Sequence, residues 1–180
     1  RFLDKAYSDY EYRNVGLIVQ MAYEWCQRLG DMRTLQWENI DLATRVLTLE
    51  QSKRRADVSL PISDELVTML NEQRKDFGFQ EYVVPHPNPT MGKYEPYAME
   101  RLSKVGRRVM RLAGLPEELR LMDLRRTGVT QMIDSGVPMG QLMSVTGHNN
   151  VSSVKPYMKH TYDSANNALT QRNIRVQSST

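Results

Sequence analysis

The chain has 180 residues, of which 40% are hydrophobic and 25% are charged, enough for one domain with a substantial core. Charged residues interrupt its apolar stretches and its first residues lack a charged-then-apolar leader, which argues against a membrane-spanning helix and a secretion signal. One cysteine excludes an internal disulfide and, with only three histidines, argues against a structural zinc site. The formal net charge of +3 permits a nucleic-acid partner without requiring one.

The first regular element predicted from the sequence is an amphipathic helix. Apolar residues recur at three- and four-residue spacings over residues 14–28, which is the pattern of a helix that packs against a core. Cys26 lies on this apolar pattern and is therefore expected to be a core residue. Gly30 is expected to end or kink the helix, and a second short helix is predicted for residues 31–37.

A β-hairpin is predicted to follow these helices. Residues 45–49 and 58–62 read as strands, and the polar residues 52–57 between them form the turn. Ser63 is a good N-cap for the next helix, which is expected to run to about Asp76. The hairpin turn presents three consecutive cations, which are Lys53, Arg54 and Arg55.

The second half of the chain is predicted to be helical after a proline-rich connection. Residues 78–96 hold four of the eight prolines and a short apolar run, 82–84, which is predicted as a strand. Glycines are expected to end three of the later helices, and Pro138 suits the first turn of one of them. The sequence therefore predicts a mainly α domain with a small antiparallel β-sheet (α+β). The later helices are predicted at residues 97–113, 123–135, 138–146 and 162–172.

Five side chains in separate segments form a set suited to phosphoryl transfer on DNA. Arg28 is followed three residues later by an acid, and Arg125 lies in the segment Asp-Leu-Arg-Arg-Thr. A Gly-His pair ends at His148, and Tyr157 follows nine residues later. With Lys53 of the hairpin, these residues offer a nucleophilic phenol, an imidazole and three cations that can stand in for a metal ion.

In order and spacing, these segments resemble the catalytic domain of tyrosine recombinases of the phage-integrase family. The resemblance covers roughly residues 10–170 and implies the fold of that catalytic domain for residues 1–172, with a polar tail at 173–180. It also implies an enzyme that cleaves and rejoins DNA strands for site-specific recombination. The catalytic residues that the resemblance implies are Arg28, Lys53, Arg125, His148 and Tyr157.

The family's chemistry explains why these residue types are needed. A tyrosine attacks a DNA phosphodiester, which gives a 3′-phosphotyrosyl link and frees a 5′-hydroxyl. Negative charge then builds on the non-bridging phosphate oxygens, where two guanidinium groups bind and the imidazole donates a hydrogen bond. Lys53 protonates the leaving oxygen. The residues alone leave two assignments open. Arg126 could be the second arginine in place of Arg125, and Tyr162 could be the nucleophile in place of Tyr157.

The chain departs from the family pattern at a position near the second arginine. Met122 stands where the family usually has a histidine, and a thioether cannot accept the proton of the tyrosine. We expect strand cleavage to be slowed rather than abolished, because the three cations favour the ionised phenol or because a water or a DNA phosphate takes the proton. Thr146 replaces a common leucine and Asn39 a common aspartate, and neither is expected to touch the reacting groups.

Further basic residues are candidates for contacts with the DNA backbone. Most lie on the predicted helix 97–113, and others flank the catalytic lysine and the second arginine. The predicted DNA-binding residues are Arg54, Arg55, Lys104, Arg107, Arg108, Arg111 and Arg126.

The resemblance implies double-stranded recombination sites as substrate, a homotetramer on DNA, and accessory proteins that bend the DNA or set direction. It implies neither a cofactor nor a metal. We expect action in the cytoplasm of a bacterial or phage-infected cell, and, because the chain starts at Arg1, further N-terminal DNA-binding modules. The rival interpretations are a type IB topoisomerase and a DNA-binding module that has lost activity.

Overall fold

A small three-stranded antiparallel sheet packs among the helices of this mainly α-helical chain. The computed structural model describes residues 1–53, 55–158 and 162–177, and none of the helices in these ranges is long and apolar enough to cross a membrane. The predominance of helices with one small antiparallel sheet confirms the predicted fold class. The helices are α1 Phe2–Tyr7, α2 Tyr10–Glu24, α3 Leu29–Arg33, α4 Asp64–Phe77, α5 Met99–Leu112, α6 Leu124–Asp134, α7 Met139–Thr146 and α8 Tyr162–Gln177, and the strands are β1 Ile40–Asp41, β2 Val46–Glu50 and β3 Asp57–Pro61.

The predicted hairpin is confirmed as β2 and β3. Leu47 pairs with Leu60 and Leu49 with Val58, and all four side chains are buried while their strand neighbours point outward. This alternation fixes one face of the sheet against the core. The short strand β1, which pairs with β2 on its other side, was not predicted because two residues are too few to show a period.

The first predicted helix ends earlier than expected. The chain forms α2 over Tyr10–Glu24 instead of 14–28, because Cys26 adopts a left-handed φ of 51° and the amide of Gln27 donates to the carbonyl of Ala22 at 3.1 Å. This is a Schellman-type end with a non-glycine residue at its turn. Gly30 therefore ends no helix but lies within α3, which replaces the predicted helix 31–37. The expectation that Cys26 is a core residue is confirmed by its burial.

The predicted strand at residues 82–84 is wrong. Tyr82 forms an isolated bridge with Gln36, and Val83 and Val84 are fully buried beside the core in an irregular segment. A short apolar run that ends at a proline has the same pattern whether it is a buried loop or a strand, so periodicity could not separate the two.

Most of the remaining helix boundaries agree with the prediction to within two residues. Gly114, Gly136 and Gly147 have positive φ at the ends of α5, α6 and α7, as expected for C-terminal caps. Pro138 is the N-cap of α7 rather than part of its first turn. The last helix continues to Gln177 instead of ending near residue 172. The short α1 was not predicted, since its six residues make fewer than two helical turns.

Candidate active site

Three of the predicted catalytic cations line one cleft. Arg28 comes from the start of α3, Lys53 from the tip of the hairpin and Arg125 from the first turn of α6, and they surround a cavity of about 410 Å³. These residues are far apart in the chain, so the fold itself gathers them. The other residues that line the cleft are Gln27, Leu29, Gly30, Met99, Leu121, Met122 and Leu124.

A buried carboxylate connects the first arginine with the hairpin. Asp31 pairs with Arg28 at 3.5 Å, and its other oxygen accepts hydrogen bonds from the backbone amide (3.1 Å) and the hydroxyl (2.5 Å) of Ser52. Because Ser52 directly precedes Lys53, this carboxylate restrains both the guanidinium and the start of the tip. These contacts orient Arg28 and support the local fold.

Arg125 and Arg126 point to different sides of α6. Arg125 is 9% exposed and donates through Nη2 to the backbone carbonyl of Thr146 at 2.6 Å, whereas Arg126 is exposed and lies 5.8 Å from the centre of the Tyr157 ring. Arg125, not Arg126, lines the cleft. This geometry favours Arg125 as the second phosphate-binding arginine.

A glycine allows α6 to approach the turn that follows α2. A Cβ at Gly128 would lie 2.4 Å from the sulfur of Cys26, so any larger residue would push the two segments apart. Arg125 on this helix and Arg28 after this turn both line the cleft. Burial raises the pKa of the Cys26 thiol, which the nearby Arg125 guanidinium only partly offsets, so the thiol stays protonated at neutral pH.

His148 is buried and is oriented by Thr146. The hydroxyl of Thr146 lies 2.9 Å from the carbonyl of Leu142 and 2.6 Å from Nδ1 of His148. A hydroxyl has one proton, so both contacts are hydrogen bonds when Thr146 donates to Leu142 and Nδ1–H donates to Thr146. Nε2 then carries the lone pair in the neutral ring and a proton in the imidazolium, and only the imidazolium can donate from Nε2 to a phosphate. The expectation that Thr146 does not touch the reacting groups is therefore wrong.

Tyr157 lies beside His148 on the same chain. It ends the 3-10 turn Lys155–Tyr157, and its ring centre is 6.3 Å from that of His148 with the planes tilted by 56°. The ring packs against a small cluster formed by Val129, Leu142 and Val154. Neither Tyr157 nor His148 is among the described residues that line the cleft. The alternative nucleophile Tyr162 is the first residue of α8.

The predicted DNA-binding residues of α5 are all exposed. Lys104, Arg107 and Arg111 line shallow grooves along α5 that share Met99 and Met122 with the cleft, while the Arg108 guanidinium lies over the Tyr12 ring at 5.8 Å. A basic surface thus continues from the cleft along this helix. At the hairpin tip Arg55 is exposed, and the predicted contact Arg54 lies outside the described residues.

Sequence reasoning missed the contribution of three residues at the site. These are the buried glutamines Gln27 and Gln51, and Thr146, which orients His148. A detectable signal existed for Gln51, because Leu47 and Leu49 face inward and the same alternation puts position 51 inward. For Gln27 the signal was weaker, since it follows the end of a helix where periodicity no longer predicts burial.

The chain belongs to the phage integrase family, whose model matches residues 2–164. An integrase/recombinase of Sinorhizobium fredii, y4gC, is 26% identical over 148 residues, which cover 79% of this chain and 74% of that protein. The integrase of Salmonella phage P22 is 23% identical over 146 residues, covering 78% of this chain and 38% of that protein.

A solved structure shows that the fold is that of tyrosine recombinase catalytic domains. The Tn1549 transposon integrase, in complex with circular intermediate DNA, superposes with a TM-score of 0.75 at 16% identity, covering 94% of this chain and 63% of that one. The chain therefore spans 74% of the length of the Sinorhizobium protein and 38% of that of the phage protein.

Proposed function

We propose that this chain is the catalytic part of a site-specific DNA recombinase that cleaves and rejoins DNA through a 3′-phosphotyrosyl intermediate. The observation that carries the proposal is the cleft lined by Arg28, Lys53 and Arg125. Three cations in one cavity of about 410 Å³ fit one backbone phosphate. Membership of the phage integrase family supports the same activity.

The reaction assigns one role to each group. The Tyr157 oxygen bonds to phosphorus as the bond from phosphorus to the 5′-oxygen breaks, and Lys53 gives that oxygen its proton. Arg28 and Arg125, with His148 as the imidazolium, bind the non-bridging oxygens on which charge develops. The proton of the phenol passes to a water or to a phosphate oxygen, because Met122 offers no base. Religation reverses these steps with a 5′-hydroxyl as the attacking group.

Because Tyr157 is outside the cleft lining, the proposal requires its segment to move when DNA binds. It can enter the cleft of its own chain or that of a neighbouring protomer. Exposed apolar side chains of α8, among them Leu169, favour docking of this helix on a neighbour in a homotetramer on DNA. We propose residues 1–172 as the catalytic domain, with α8 and the segment 173–180 that follows residue 172 serving that contact. N-terminal DNA-binding modules and accessory proteins would complete the assembly in the cytoplasm.

A nicked DNA duplex that loses its short 3′ fragment after cleavage tests the activity. The chain should form a covalent adduct that survives denaturation, and Tyr157→Phe should abolish it while Tyr162→Phe should not. Adduct formation that is unchanged in Tyr157→Phe would refute the assigned nucleophile. Binding without any adduct would favour the rival interpretation of an inactive DNA-binding module. Relaxation of plasmids that lack a recombination site would favour the topoisomerase.

The basic surface of α5 should determine the salt dependence of DNA binding. Replacing Lys104 and Arg107 with alanine should weaken binding and lower the slope of log K against log salt by about 0.9 for each phosphate contact removed. Lys75→Ala is the matched control, because Lys75 is exposed on α4 and pairs with Glu72. Titrations of labelled DNA at several salt concentrations measure both slopes. Equal slopes for the double variant and the control would rule out this surface as a DNA contact.

A further inference from the structure

Two buried glutamines join the segment that carries the first arginine to the hairpin that carries the lysine. Gln27 is 1% exposed and Gln51 is 0% exposed. The amide nitrogen of Gln51 donates to Oε1 of Gln27 at 2.5 Å and to the backbone carbonyl of Thr146 at 3.0 Å. The three residues come from three separate segments of the chain, so this small network crosses the interior beside the cleft that Gln27 lines.

The surrounding carbonyls give each amide a single orientation. The nitrogen of Gln27 donates to the carbonyls of Trp25 and Val145, both at 2.7 Å, so its oxygen must face Gln51. The side-chain nitrogen of Gln51 must then face Gln27 Oε1 and the carbonyl of Thr146, since both are acceptors and an oxygen in that place could bond to neither. Both amide nitrogens and Gln27 Oε1 are thus paired, whereas Gln51 Oε1 has no hydrogen-bond partner among the described residues. Buried hydrogen bonds of this kind are costly to remove and hold their neighbours in one arrangement.

Gln51 stands at the base of the hairpin tip. The backbone amide of Gln51 donates to the backbone carbonyl of Ala56 at 2.9 Å, and the backbone carbonyl of Gln51 accepts from the backbone amide of Arg55 at 2.8 Å. These two bonds close the turn that contains Lys53. The side chain packs directly on the turn before His148, where a Cβ at Gly147 would lie 2.6 Å from Gln51 Oε1.

The network ends on the carbonyl that also holds the second arginine. Arg125 Nη2 donates to the carbonyl of Thr146 at 2.6 Å, so Gln51 and Arg125 share this single acceptor. The base of the lysine hairpin and the guanidinium are therefore fixed to the same atom.

We propose that Gln51, supported by Gln27, is a positioning residue that sets the Lys53 ammonium in register with Arg125. The proton donor for the leaving oxygen and the group that binds the phosphate are thereby held in one frame. The inference rests on the proposed function, since it takes Lys53 as the acid. A displacement of about 1 Å at a reacting group can cost about 10²-fold in rate, so loss of this anchor should be visible in cleavage.

A sulfur substitution in the DNA separates this role from a general loss of structure. When the bridging 5′-oxygen is replaced by sulfur, the bond from phosphorus to sulfur breaks and a thiolate leaves. A thiol has a pKa of about 8.5, whereas bulk water, a guide to an alcohol, has about 15.7, so the thiolate needs no proton from lysine. A defect in proton donation should disappear on the sulfur substrate, and any other defect should persist.

The experiment compares single-turnover adduct formation on the oxygen and sulfur substrates. We expect Gln51→Leu to be about 10- to 10²-fold slow on oxygen and close to the unmodified chain on sulfur, the pattern also expected for Lys53→Ala. The matched control is Gln73→Leu. Gln73 lies on α4 and is 3% exposed, and its side-chain nitrogen donates to Asn14 Oδ1 (3.0 Å) and to the carbonyl of Val83 (2.8 Å). Its loss therefore removes a buried amide away from the cleft. This control should show no difference between the substrates.

Equal slowing of Gln51→Leu on both substrates, or no slowing on either, would overturn the positioning role. If Gln51→Leu melts below the assay temperature, Gln27→Leu decides by the same two outcomes, because it removes one partner of Gln51 and leaves the bond to Thr146. An unmodified chain without adduct, or a Lys53→Ala variant that sulfur does not rescue, would instead refute the proposed function and the inference with it.

Discussion

Replacing Arg125 with lysine should slow DNA cleavage by about 10²–10³-fold, the usual cost of removing one preorganised donor to developing charge. Lysine keeps the positive charge but loses the planar fork that can hold the Thr146 carbonyl with one nitrogen and a phosphate with others. Single-turnover adduct formation under saturating DNA measures the effect. DNA binding should change far less than the rate, because the guanidinium acts mainly in the transition state.

The neighbouring arginine provides the control for this prediction. Arg126 is exposed and lies over the Tyr157 ring, so Arg126→Lys should change the cleavage rate by less than about tenfold. If the two lysine variants slow cleavage equally, the assignment of Arg125 to the phosphate is wrong. A larger effect for Arg126 would move that role to Arg126.

Introducing histidine at position 122 should accelerate cleavage. Met122 is 74% exposed and lines the cleft, so an imidazole there can reach a phenol that enters it. General-base assistance is typically worth about 10²–10⁴ in rate, and we expect a gain of at least about 10². Single-turnover rates near neutral pH measure the change.

Met99→His is the matched control for this second prediction, because Met99 lines the same cleft from α5. An imidazole there adds similar chemistry at a position that does not correspond to the family's histidine, and it should give no gain. If Met122→His leaves the single-turnover rate unchanged, the absence of a base is not what limits this enzyme. Equal gains in both variants would indicate a general effect of added imidazole.

Much of the fold could be predicted because its elements have regular periods and clear ends. The hairpin followed from alternation over residues 45–62, and the helix starting after Ser63 followed from its capping side chain, which accepts from the amide of Leu66. The ends at Gly114, Gly136 and Gly147 followed from the preference of glycine for positive φ. Periodic patterns and capping residues depend on neighbours in the chain, so a single sequence is enough to detect them.

The errors arose where tertiary contacts override local preference. Cys26 ends α2 with a positive φ that its residue type does not favour, and the close approach of Gly128 accompanies that turn. The apolar residues Val83 and Val84 fill the core from an irregular segment instead of a strand. Such features depend on what packs against them, which a single sequence does not reveal.

The candidate site, too, could be predicted only in part from the sequence. Ordered motifs pointed to Arg28, Lys53 and Arg125, which the fold brings to one cleft. The supporting side chains were harder to predict, because strand alternation can indicate that Gln51 is buried but not which groups it contacts. Their role depends on hydrogen bonds between segments distant in the chain, and Thr146 was misjudged for this reason.

The most direct test is to identify the atom that DNA becomes attached to. Protease digestion of the covalent adduct, followed by mass spectrometry, should find one peptide that contains Tyr157 and carries a nucleotide through a 3′-phosphate, with a 5′-hydroxyl on the released strand. A nucleotide on Tyr162, a link through a 5′-phosphate, or attachment to a residue other than tyrosine would contradict the account.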